Sequence, residues 1–151
     1  MKESLHYLLM ANQMLVQRQL LDRLKNTGLT IGQPKVLDYL TDHDGSSQKE
    51  IAKGCFLEAV SLTSILNRME KKGLIERRML NGNRRTLHVF LTEQGKSSRD
   101  LVKTAFSCIE DQGVSGISPE EYDAFMKTCR KIYENLMKPE QNEKLEEERE
   151  G

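Results

Sequence analysis

Residues 47–91 read SQKEIAKGCFLEAVSLTSILNRMEKKGLIERRMLNGNRRTLHVFL, and this stretch decides the fold. Residues 47–50 (SQKE) form a capping box, in which a Ser oxygen meets an orphan backbone N–H and a Glu reaches back. The box opens a helix of about two turns through Ile51 and Ala52, and Gly54 ends it. A second helix follows over residues 58–72. Val60, Leu62, Ile65, Leu66 and Met69 make its inner side. Ser61, Thr63, Ser64, Asn67, Arg68 and Lys71 are left facing outwards or along the flanks. Gly73 stands where a left-handed residue closes a helix. Residues 74–79 and 86–91 are strand-like, and Asn81-Gly82 between them is the strongest short hairpin signal in the chain. Two short helices and a hairpin with a basic tip predict a helix-turn-helix with a wing, a device for holding double-stranded DNA.

Outward from this stretch, residues 4–27 carry Leu5, Leu8, Leu9, Leu15, Val16, Leu20, Leu21 and Leu24 at helical spacing, with Gly28 as a stop. Residues 30–33 (TIGQ) have the form of a capping box before Pro34, and Val36, Leu37, Tyr39 and Leu40 give a short second helix. Beyond the hairpin, Thr92 caps a helix reaching about Asp111. Ser118 caps a last helix with Tyr122, Phe125, Met126, Cys129, Ile132, Tyr133, Leu136 and Met137 on one face. Residues 139–151 are acidic and read as a disordered tail. Long amphipathic helices at both ends cannot bury their apolar stripes on so small a middle. A twofold dimer solves this most simply, and a monomeric bundle with the terminal helices covering each other is the alternative.

The 151 residues suit one domain with extensions, and 30% charged against 5% aromatic residues suits a helix-rich soluble protein. Net charge is zero, yet residues 68–88 hold seven Lys or Arg against two acids. Local charge is what a phosphate backbone feels, because salt screens the rest. Cys55, Cys108 and Cys129 are widely separated, and His6, His43 and His88 are scattered. No catalytic group, metal site or cofactor is expected. The absence of a secretory signal or membrane span predicts a cytoplasmic protein.

A recognition helix must show small polar or donor side chains to base edges, and Ser61, Thr63, Ser64, Asn67, Arg68 and Lys71 meet that need. A wing needs a tight turn with cations at its tip, and Asn83, Arg84 and Arg85 meet that. Lys35, Ser47, Gln48 and Lys49, at helix N-termini, would fix register on phosphates.

Residues 28–33 (GLTIGQ), 51–52 (IA), 63–77 (TSILNRMEKKGLIER) and 84–95 (RRTLHVFLTEQG) together resemble the MarR family of winged helix-turn-helix transcription regulators. The resemblance spans about residues 4–138. Thr63, Asn67, Arg68, Arg77, Arg84, Leu91, Thr92 and Gly95 fall on matching positions. Asn81 and Asn83 replace the usual Asp residues of the wing, Ser64 stands where many members carry Arg, Met69 replaces Leu, and Pro34 replaces an aromatic.

The resemblance implies a mainly α fold with a small β-hairpin wing. A winged helix-turn-helix core at residues 29–95 would carry a helical dimerisation domain from both termini, residues 1–28 and 96–138. It implies a homodimer on a pseudo-palindromic DNA site and a repressor released by a small aromatic or apolar effector. The effector cleft would lie where the first, second and fifth helices meet, with Met10, Met14, Arg18 and Tyr39 as its lining. A winged-helix protein-interaction module without DNA binding is the rival. Some relatives sense oxidants through a cysteine in the first helix. This chain has none there, and Cys55 reads as a small filler near the recognition helix.

Overall fold

A computed structural model describes residues 3–138, so the acidic stretch 139–151 lies outside the described residues. The order is α1 (Leu5–Arg23), α2 (Gln33–His43), α3 (Gln48–Gly54), α4 (Ala59–Lys71), β1 (Ile75–Met79), β2 (Leu87–Leu91), α5 (Glu93–Gly113) and α6 (Pro119–Leu136). This is the expected mainly α chain with one hairpin. Two compact units divide at Glu110 and Asp111, inside α5.

In the first unit, α1 starts on Ser4, whose Oγ accepts from Tyr7 N at 3.3 Å. It ends a turn earlier than the spacing predicts, at Arg23. Thr27 Oγ1 donates to Leu24 O at 2.6 Å and accepts from Leu29 N, which turns the chain towards α2. The expected capping box at α2 is only half formed. Gln33 Oε1 accepts from Thr30 N at 3.1 Å, but the N-cap position belongs to Gly32, in the left-handed region. A Cβ at Gly32 would drive into the Ile65 side chain of α4, so the small residue also sets the approach of the two elements. Ser47 caps α3 as predicted, accepting from Glu50 N at 3.2 Å.

The core joins Val36, Leu37 and Leu40 of α2 to Ile51, Leu62, Leu66, Met69, Ile75 and Val89. Leu20 and Leu24 from the first helical segment and Val102, Ala105 and Ile109 from α5 belong to the same cluster. The end of α1 and the middle and second half of α5 therefore share the winged-helix core. Lys72 holds the end of α4 to the α1–α2 turn, its Nζ donating to Gly28 O at 2.5 Å and to Gln33 Oε1 at 3.1 Å.

β1 and β2 pair antiparallel with Ile75 opposite Leu91 and Met79 opposite Leu87. A third, very short segment joins them. Gly45 N donates to Val89 O, Val89 N donates to Ser46 O, and Ser47 bridges His88. Asp44 Oδ1 accepts from Leu91 N at 2.8 Å, which ties the end of α2 to the end of the wing.

In the second unit, α6 starts on Ser118, whose Oγ accepts from Glu121 N at 3.2 Å, with Pro119 at the first helical position. None of its residues is buried. Cys129, on the apolar face of this helix, is half-buried.

Candidate nucleic-acid interface

Helical geometry turns successive residues by about 100°, which fixes the direction opposite a core stripe. Leu62, Leu66 and Met69 are the buried residues of α4. The opposite line passes through Val60, Ser64, Asn67 and Lys71, all exposed. Thr63 and Arg68 flank it and are also exposed. Val60 thus corrects the sequence expectation. It is 84% exposed rather than inward, since it lies about 160° round the helix from Leu62. Thr63 Oγ1 donates to Ala59 O at 2.9 Å, which leaves its lone pairs outward.

Ser47 is buried and occupied as a cap, while Gln48 is half-buried and Lys49 exposed. One cation organises this surface. Arg77, on β1, donates to both carboxylate oxygens of Glu70, each at 3.1 Å, to Asn67 Oδ1 at 2.8 Å and to Gln48 Oε1 at 3.4 Å. It joins α3, α4 and the wing. Hydrogen bonding from Arg77 holds the Glu70 carboxyl below its ordinary range. Sequence spacing places Arg77 in a motif but does not show these partners, which depend on strand register.

The wing loop turns through Asn81 and Gly82, both with positive φ, and closes with Asn83 N donating to Leu80 O at 3.0 Å. This is the mirror-image turn that Asn-Gly favours. Asn83, expected as a contact residue, spends its side chain internally. Its Oδ1 accepts from Arg85 N at 3.0 Å and its Nδ2 donates to Thr86 Oγ1 at 3.4 Å. Arg84 and Arg85 are exposed and form no salt bridge among the described residues. Arg78 instead lies over the Phe90 ring, 3.9 Å from its centroid.

A cleft of about 600 Å3 opens between α1, α2, α4 and α5. Val16, Leu20, Pro34, Leu57, Ile65 and Phe106 supply its apolar wall, and Gln13, Gln17, Lys35, Asp38 and Ser61 its polar edge. Burial, with a smaller effect from Asp42, raises the Asp38 carboxyl. Met10, Met14, Arg18 and Tyr39 do not line this cleft. Met10 and Met14 are exposed on α1, and Tyr39 stacks on His43 at 4.4 Å. Lys35 and Ser61, expected on DNA, belong to the cleft wall.

Cys55 is buried, 2% exposed, and its Sγ donates to Lys35 O at 3.7 Å. Burial pushes its thiol up to about 11, against a smaller opposing effect of Lys35. Such a thiol stays protonated and unreactive. No group of three His, Cys, Asp or Glu among the described residues could hold a metal ion. No helix among them is long and apolar enough to cross a membrane.

A trihelical core, a presented helix and a two-stranded wing define a winged helix-turn-helix domain. A family model described as the MarR family matches residues 27–86. Among solved structures, the S. aureus MepR–DNA complex is 25% identical, with a TM-score of 0.81 over 90% of this chain and 100% of that one. The transcriptional repressor CouR bound to a 23-mer DNA duplex is 25% identical, with a TM-score of 0.76 over 86% and 92%. The transcriptional regulator SlyA, at 20% identity, has a TM-score of 0.80 over 89% and 94%. Residues 27–86 of this chain are therefore similar to the MarR family, and its fold is that of these solved structures.

Proposed function

We propose that the protein is a homodimeric, sequence-specific DNA-binding transcription regulator, a repressor released by a small-molecule effector. The outward line Val60, Ser64, Asn67 and Lys71, beside a wing tip whose two arginines are uncommitted, carries the reading. It offers a groove-reading surface and a phosphate or minor-groove clamp in one unit. The DNA complexes of MepR and CouR support the same use here.

The dimer rests on apolar surface. Leu5, Leu8, Leu9, Met10 and Leu15 of α1 are exposed, and so are Phe125, Met126 and Leu136 of α6. An exposed apolar stripe on each of these helices marks an interface. Two copies would place their α4 helices one turn of DNA apart, ~34–36 Å. The effector belongs in the cleft rather than at Met10 and Met14, because the cleft shares Ser61 and Ile65 with α4. A ligand there would shift the population of α4 positions.

Gel shift on DNA selected from the genome, repeated across a salt series, tests the reading. Log affinity should fall linearly with log salt. Arg84→Ala should weaken binding to all sequences and lower the slope by about one. An affinity indifferent to salt would favour the rival, a protein-interaction module. Sedimentation at micromolar concentration should return a dimer, and a monomer there would sink the half-site geometry.

A further inference from the structure

Arg77 does more than brace the wing. Its Nη2 donates to Asn67 Oδ1 at 2.8 Å, and its other donors hold Glu70 and Gln48. Asn67 stands on the outward line of α4 and is exposed. A carboxamide has one acceptor edge and one donor edge. With the oxygen turned back to the guanidinium, the Nδ2 edge faces away from the wing, and no hydrogen bond engages it among the described residues. The amide orientation is dictated, since a flipped Asn67 would set an N–H against an N–H.

We propose that Arg77 is a positioning residue for base choice, which makes Asn67 a donor that selects a keto base. The inference rests on the DNA-binding reading above. Guanine offers O6 and N7 and thymine offers O4, all acceptors, to the two Nδ2 hydrogens. Cytosine presents an amino donor at the corresponding place and is refused. Adenine needs a donor and an acceptor side by side, and here the acceptor edge is engaged by Arg77. Glu70 completes the device. Its carboxylate takes two guanidinium N–H groups and so aims a third at Asn67.

Selection of bound DNA from a randomised pool, with wild type and three variants, tests this. Wild type should prefer guanine or thymine over adenine and cytosine at one position of each half-site, by about tenfold. Asn67→Asp is nearly isosteric, keeps an Arg77 partner and shows only acceptors. It should invert the preference at that position towards adenine and cytosine. Arg77→Met frees the amide to flip, and adenine should then be accepted. Arg84→Ala should lower affinity without changing any base preference. Circular dichroism of each variant reports folding. If wild type binds with a salt-dependent affinity and neither Asn67→Asp nor Arg77→Met changes the preference, this proposal fails while the DNA-binding reading stands. If wild type shows no salt-dependent binding, the DNA-binding reading itself fails.

Discussion

The hydroxyl of Thr92 donates to the carbonyl oxygen of Gly73 at 2.6 Å. Thr92 Oγ1 also accepts from Gly95 N at 3.0 Å, so one side chain closes the exit of α4 and opens α5. Thr92→Val keeps the shape and removes both bonds. It should cost about 1–3 kcal/mol, because a carbonyl and an N–H lose their partner together. Urea unfolding should show a lower midpoint for Thr92→Val, and Thr92→Ser should restore most of the loss.

Gly95 lies against the backbone carbonyl of Leu74, where a Cβ would collide with an atom that cannot rotate away. Gly113, also helical, has nothing near its missing Cβ. Gly95→Ala should therefore destabilise by about 2 kcal/mol or more, whereas Gly113→Ala should stay within about 0.5 kcal/mol. Equal thermal midpoints for the two variants would contradict this packing.

Val60 and Leu66 share a helix and an apolar character but not a fate. Leu66 is fully buried and Val60 is 84% exposed. Leu66→Ala should cost about 2–5 kcal/mol, and Val60→Ala less than about 0.5. Denaturation of both proteins separates the inner face of α4 from its reading face.

Cys55 holds its proton to higher pH when folded, because burial raises the thiol to about 11 from an ordinary 9.0. Its contribution to stability is full below 9.0 and declines as pH rises from there through about 11. Cys55→Ser should remove that alkaline slope. A thiol reagent at neutral pH should label exposed Cys108 readily and reach Cys55 only on unfolding.

Glu70 has the opposite sign. Its hydrogen bonds from Arg77 lower the carboxyl from an ordinary 4.5, so its contribution is present above that value and fades as pH falls through the lower folded value. Glu70→Gln should flatten the acid limb of the stability curve there. An unchanged limb would show that the pair is fully screened.

Local chemistry made much of this legible. Ser47, Thr92 and Ser118 cap the helices they were expected to cap, and the hairpin turns at Asn81-Gly82. Those devices act between neighbours in the chain. Gly32 displaced Thr30 as the cap of α2 because Ile65, distant in sequence, leaves room only for hydrogen there. Val60 is apolar by type but lies outward by helical angle, and angle decides its exposure. The bridge that residues 45–47 make to β2 is too short to show a period in sequence. The cleft draws on several separated segments, so none of its walls forms a motif.

The Asn83 bracket inside the wing has a consequence for speed. Its two hydrogen bonds and the left-handed pair before it bend the loop during folding. The exposed Arg84 and Arg85 side chains keep freedom to lose on meeting a duplex. The conformational entropy of the backbone has already been surrendered, so a docking wing need not wait for its loop to find a shape.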